Sequence, residues 1–187
     1  MDQSEILAIF ERSGALLKGH FVLRSGRHSR EFFQCALALQ EMPVVEVLGA
    51  ELARRCEQMN VRTVVAPAMG GLVIGQEVAR RLRSRFIFLE KENGKLVLRR
   101  GFKLVPGERC LVVEDVVTQG GRALETIQIV RSLGAEVVAV AMLVDRSTAP
   151  IPIDVPLIGL VRMQVETFDP SDLPVDLKQS AAIKPGS

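Results

Sequence analysis

Three cysteines, Cys35, Cys56 and Cys110, are too few and too far apart to frame a disulfide scaffold, and no Cys-x-x-Cys or Cys/His grouping offers a metal-ligand set. They read as reduced core residues of a cytoplasmic protein. Long hydrophobic runs are missing as well. Nothing approaches the roughly 20 apolar residues of a membrane span, and the opening MDQSEILAIF has no basic stretch ahead of a long apolar one, so neither a membrane segment nor a secretory leader is expected. A surplus of one charge is absent too: 24 Lys and Arg nearly balance 22 Asp and Glu, which argues against nucleic acid or an anionic membrane as the main partner. Neither Gly-x-x-x-x-Gly-Lys-Ser/Thr nor Gly-x-Gly-x-x-Gly occurs, which disfavours a P-loop or a dinucleotide site. No internal repeat is present.

What is there suits one large domain, since 187 residues at 48% hydrophobic content can bury a sizeable core. Ser4 ahead of Ile6, Leu7, Ile9 and Phe10 predicts a short N-capped helix ending near Gly14. Residues 19–39 read as two strand-like pieces around the Ser25-Gly26-Arg27 turn. Pro43 opens a helix striped by Val44, Leu48, Leu52 and Cys56. Apolar runs at 63–66, 85–89, 110–113, 137–144 and 157–161 then alternate with helical patterns at 72–82 and 123–133. Continuous apolar strands between amphipathic helices predict an α/β fold, a doubly wound and mostly parallel five-stranded sheet covered on both faces. Residues 95–102 break that rhythm and predict a flexible hairpin inserted between two strands. The chain divides into a small N-terminal hood (1–42), a core (43–168) and a polar tail (169–187) whose last ten residues are expected to fray.

The chemistry concentrates where the run Cys110–Val113 delivers Glu114 and Asp115 side by side, followed by Val116, Val117, Thr118, Gln119, Gly120 and Gly121. Adjacent carboxylates repel each other and are costly to desolvate, so their place at the end of a core strand needs a reason. In an open parallel sheet ligands bind at the carboxyl ends of strands. The turn at 118–121 opens a helix, and its backbone N–H groups form an anion site that two glycines let a phosphate approach. The acids, one step away, suit sugar hydroxyls; the bland alternative is that they cap the helix. Ala68, Met69, Gly70 and Gly71 make a second such turn after the strand at 63–66, or else a plain tight turn. Two anion sites flanking a sugar site describe a phosphoribosyl diphosphate. Between Arg80 and Lys103 nine basic residues face Glu90 and Glu92, an excess that either draws a small anion or coats a solvated helix and hairpin.

The stretch VVEDVVTQGG resembles the fingerprint of the type I phosphoribosyltransferases, and within them the chain is most similar to the orotate phosphoribosyltransferase family. Further support comes from HFVLRSGRHSREFFQ, APAMGGLVIG and LVDR, so the resemblance runs from about Ile6 to Phe168. It implies that Glu114 to Arg122 hold the phosphoribosyl group and that Ala68 to Gly71 form the pyrophosphate loop. It implies orotate contacts at Arg24, Ser25, Thr118 and Arg146, with Phe32 and Phe33 lining the base pocket. A guanidinium fork at Arg146 suits orotate's carboxylate.

The departures lie in the cations. Gly70 stands where many family members carry a basic residue, and LEKENGKLVLRRGF keeps Lys91 but lacks the family's mobile Lys-Asp-His-Gly segment. Lys91, Arg99 and Arg100 are the candidates to supply that charge, with Asp115 completing the catalytic set. Gln119 and Arg122 replace the usual Thr and Ser, and Arg122 either adds charge to the phosphate site or obstructs it. The implied reaction joins orotate and phosphoribosyl diphosphate, with Mg²⁺ carried mainly by the diphosphate rather than by a protein metal site, in a homodimer. A salvage transferase for another base and a non-catalytic sensor of phosphoribosyl diphosphate are the rival readings.

Overall fold

The structure, a computed structural model, describes residues 1–23 and 25–185. Helix α1 (Gln3–Arg12) is capped two residues before Ser4. The Asp2 carboxylate accepts from the Glu5 N–H while Glu5 accepts from the Asp2 N–H, which satisfies two orphan donors at once. The strands β1 (Leu16–Val22) and β2 (His28–Phe33) pair antiparallel. The strand reading of the next residues is corrected, because Cys35–Leu39 forms a short helix, α2. Its buried residues Cys35, Ala38 and Leu39 follow the helical spacing of three and four rather than two. Helix α3 (Met42–Cys56) carries Pro43 in its first turn and buries Val45, Leu48, Leu52 and Cys56.

The chain then alternates through β3 (Thr63–Pro67), α4 (Gly71–Leu82), β4 (Arg85–Glu92), β5 (Lys95–Leu98), β6 (Arg109–Val117), α5 (Gly121–Ser132), β7 (Glu136–Asp145) and β8 (Leu157–Arg162). These strands form one sheet in the order β5-β4-β3-β6-β7-β8. Five of them, β3, β4, β6, β7 and β8, run parallel as expected. The sixth is the expected hairpin, which adds a strand to the five: β5 lies antiparallel on β4 at the sheet edge. Leu96 is buried there, and its N–H donates to Glu125 on α5 at 2.7 Å, so the hairpin is packed and hydrogen-bonded.

Period-two alternation divides the core between the two faces of the sheet. Val64, Leu111, Val113, Ala139 and Ala141 pack with Phe10 of α1, Leu48 and Leu52 of α3 and Ile74 of α4. Val65, Cys110, Val112, Val140 and Met142 pack with Ala123, Ile127 and Val130 of α5. Helix α4 starts hard against β6. A Cβ on Gly71 would fall 2.6 Å from the Val113 carbonyl oxygen, so only glycine permits that approach.

The chain returns to its N-terminal layer at the end. Strand β9 (Thr167–Phe168) pairs with β2, and the short helix α6 (Val175–Lys178) buries Leu177. The Ile183 N–H donates to the His20 carbonyl and the Val22 N–H to the Ile183 carbonyl, both at 2.8 Å. Within the last ten residues, expected to fray, Ile183 is thus paired to β1 through its backbone. Phe10, fully buried, meets Phe33 edge-on at 4.7 Å and ties α1 to the hairpin β1–β2. Phe10→Ala is expected to cost about 3–5 kcal/mol, the range for a buried aromatic cut to alanine. A urea titration reads this as a lower midpoint at unchanged slope.

Candidate active site

Strand β3 feeds α4 and β4 on one side, whereas β6 and β7 lie on the other, so the strand order reverses between the neighbours β3 and β6. At such a switch point the loops after the two strands part and leave a crevice. The loop from Ala68 to Gly70 follows β3, and the loop from Thr118 to Gly120 follows β6. The sequence reading of two glycine turns at one sheet edge is thus a geometric fact.

Strand β6 is longer than its apolar run suggests and continues through both acids to Val117. Consecutive residues of a strand point to opposite faces, so Glu114 and Asp115 diverge. Asp115 turns to the α4 side, under the loop after β3. A Cβ on Gly70 would lie 2.5 Å from both Asp115 carboxylate oxygens. Asp115 also accepts from the Val116 N–H at 2.8 Å, and burial raises its pKa above the ordinary value.

Glu114 turns to the α5 side and is 2% exposed. Burial pushes its pKa up to about 8, opposed by the Arg122 guanidinium 3.6 Å away. One of its oxygens is buried without a hydrogen-bond partner among the described residues. An acid so desolvated is poised to accept from a hydroxyl donor brought by a ligand.

The loop after β6 lines a cleft of about 230 Å³ with Val116, Val117, Thr118, Gln119, Gly120, Gly121 and Arg122 around Glu114. Thr118 and Gln119 are exposed. Gly120 sits at φ +76°, a conformation glycine adopts without strain, and Ile151 packs against the position a Cβ would take. Ile151 was not foreseen, because its place against Gly120 is set only by tertiary contact. A larger cavity of about 560 Å³ lies among Arg62, Arg85, Glu108 and Arg109 at the opposite ends of the strands. Arg85 is bound there to Glu108, and Arg109 to Glu136 and the Met59 carbonyl, so two of its three arginines already have partners. Glu114 and the glycine turn after β6 lie at the smaller cleft.

Arg146 follows β7, its N–H donating to the Val117 carbonyl at 2.8 Å. Its Nε is buried without a partner, and burial lowers its pKa below the ordinary arginine value, opposed by Cys35 and Glu31. A desolvated guanidinium with an unmet donor calls for an anion. Cys35 and Glu31, both missed in the sequence as site neighbours, place Arg146 beside the N-terminal hairpin. Cys35 lies there with its Sγ 4.0 Å from the Asp115 carbonyl oxygen.

Other expected residues are placed differently. Phe32 and Phe33 are consecutive in β2 and so face opposite ways: Phe33 is 5% exposed and packs on Phe10, while Phe32 lies beside Phe21. The expectation that both line one base pocket is corrected by that alternation. Ser25 sits in the β1–β2 turn, and Arg24 lies outside the described residues. Arg99 and Arg100 are held in ion pairs with the hairpin's own acids, Glu92 at 2.8 Å and Glu90 at 2.7 Å. Both are surface pairs, with Arg99 and Arg100 54% and 63% exposed. Lys91 lies exposed on β4 between those two glutamates.

Comparison with known proteins agrees with this geometry. The family model for the phosphoribosyl transferase domain matches residues 37–173. The orotate phosphoribosyltransferase of Desulforamulus reducens is 50% identical over 187 residues, all of this chain and 98% of that one. The orotate phosphoribosyltransferase of Thermotoga maritima is 44% identical over 182 residues, 97% of each chain. The crystal structure of orotate phosphoribosyltransferase from Aeropyrum pernix superposes with a TM-score of 0.70 at 25% identity, over 85% of this chain and 94% of that one. Full-length identity of this order, on a fold whose two loops and paired acids meet at the switch point, establishes that the chain belongs to the orotate phosphoribosyltransferase family.

Proposed function

We propose that the protein transfers the phosphoribosyl group of 5-phosphoribosyl 1-diphosphate to orotate, giving orotidine 5-phosphate and pyrophosphate in pyrimidine synthesis. The observation that carries this reading is the divergence of Glu114 and Asp115 between two glycine-rich loops, with the unmet donor of Arg146 beside the N-terminal hairpin. In the reaction the bond from ribose C1 to the diphosphate oxygen breaks as a bond from C1 to a ring nitrogen of orotate forms.

The residues divide the work. The N–H groups from Thr118 to Gly121 and the start of α5 receive the 5-phosphate. Glu114 and Asp115 accept from the ribose hydroxyls and fix the ring while positive charge develops at C1. The backbone from Ala68 to Gly71 receives the diphosphate. Arg146 meets the orotate carboxylate as a fork, with Ser25 and Thr118 near the base. Lys91 is the cation of β4 that we assign to the departing pyrophosphate. Magnesium fits as a companion of the substrate: the buried, unpartnered oxygen of Glu114 is a hard donor able to receive one of the ion's waters. When bound, the ion supplies charge neutralisation on the diphosphate. A homodimer and a cytoplasmic location complete the proposal, the latter consistent with three buried free cysteines.

An absorbance assay offering orotate, uracil, adenine and hypoxanthine with the diphosphate donor tests the reading. Turnover with orotate alone supports it, and preference for any other base overturns it. Arg146→Ala is expected to raise KM for orotate about tenfold or more while the donor's KM stays within about twofold, the cost of one charged hydrogen bond. Equal losses for both substrates would assign Arg146 to folding.

Glu114 also predicts a pH dependence. Its folded pKa of about 8 lies above the unfolded value near 4.3, so the folded state holds a proton that the unfolded chain releases. Stability from this group is full below about pH 4.3 and is lost as pH rises toward 8. Glu114→Gln removes that loss. Its Tm is expected to match the parent near pH 5 and exceed it by about 2–4 °C or more near pH 8.5, with weaker donor binding at both. Calorimetric scans across this range check it.

A further inference from the structure

The pyrophosphate loop carries no cation of its own. Its residues are Ala68, Met69, Gly70 and Gly71. A Cβ on Gly70 would strike the Asp115 carboxylate at 2.5 Å, and one on Gly71 the Val113 carbonyl oxygen at 2.6 Å. The close seating of this loop on β6 therefore bars a side chain at Gly71, while one at Gly70 would require the Asp115 carboxylate to move aside. A leaving diphosphate nevertheless needs positive charge at this loop.

Arg122 is anchored on the opposite loop but does not stay there. From the first turn of α5 its Nη2 donates to the Ala68 carbonyl at 2.6 Å and to the Pro67 carbonyl at 3.3 Å, while its Nε stands 3.6 Å from Glu114. The guanidinium thus spans the crevice and rests on the mouth of the other loop, and its side chain remains half exposed. The two arginines of the hairpin, Arg99 and Arg100, are occupied by Glu92 and Glu90. We propose that Arg122 is a second cation of the pyrophosphate subsite beside Lys91, delivered from the phosphate-loop helix across the crevice, and that it serves the diphosphate rather than the 5-phosphate next to which it lies in sequence. This deepens the reading of the site as a phosphoribosyltransferase centre and rests on it.

Two carbonyl contacts hold the fork at the loop mouth, so it is positioned before substrate arrives and its open edge is free for phosphate oxygens. The neighbouring Glu114 limits how far it can swing back toward its own helix. A guanidinium reaches both the carbonyls and an anion, whereas an ammonium supplies the charge without the fork.

The test separates the two phosphate subsites with two probes, inorganic pyrophosphate with magnesium and ribose 5-phosphate, titrated calorimetrically into the parent, Arg122→Ser and Arg122→Lys. Arg122→Ser is expected to weaken pyrophosphate about tenfold or more and to leave ribose 5-phosphate within about twofold. Arg122→Lys should recover most of the pyrophosphate affinity, since the charge is restored. Unchanged pyrophosphate affinity in Arg122→Ser, an equal loss on both probes, or a lysine variant no better than serine overturns the inference. A parent that binds neither probe overturns the functional reading with it; a parent that binds both, and turns over orotate, leaves that reading standing whatever the variants do.

Discussion

Two carboxylates sit on neighbouring residues of a buried strand, and the arrangement is tolerable because a strand sends successive side chains to opposite faces. Glu114 looks toward α5 and Arg122, Asp115 toward the loop beneath α4. One acid is thereby assigned to each phosphate loop, and the crevice between them inherits acceptors on both walls. The cost is desolvation: both acids have raised pKa values because they are buried, and Glu114 keeps an oxygen with no partner. An interaction left unmade in the free protein is the reserve from which a ligand's hydroxyls draw affinity.

The close contacts around this strand follow from the same constraint. Helix α4 starts against the Val113 carbonyl, so Gly71 is fixed by contact with backbone and not by a need for unusual backbone angles, while Gly70 lies against the Asp115 side chain. Gly120 differs, since its φ of +76° is itself the requirement. The two glycine-rich turns thus look alike in sequence and are glycine-rich for different reasons.

Most of the parallel sheet was legible in the sequence because strands buried on both faces read as unbroken apolar runs. The five parallel strands were placed to within a few residues, and so were the helices between them. The acids and the glycine turns were legible because such residues are out of place in a core. What escaped was the product of tertiary contact. The packing of β5 depends on Leu96 and on Glu125 some 29 positions away. The ion pairs of Arg99 and Arg100 depend on a register that brings the basic half of a hairpin over its acidic half. Cys35 and Glu31 reach Arg146 only through the fold, and their types alone suggest a core thiol and a surface acid. The capping residue and helix α2 were missed for a local reason, because Asp2 competes with Ser4 as a cap and short apolar segments are ambiguous between strand and helix.

The three-stranded sheet of the N-terminal layer is built from both ends of the chain. β1 and β2 come from its start, yet β2 is covered by Thr167–Phe168 and β1 is bridged by Ile183. During synthesis this hairpin emerges early and its two edges stay bare until more than 130 further residues have followed. Throughout that interval unpaired strand edges are open to other chains. The parallel sheet can assemble meanwhile, so the N-terminal layer beside Arg146 is the last part of the molecule to close. A C-terminal fusion joined ahead of Ile183 would therefore leave a mature core with an unfinished hood.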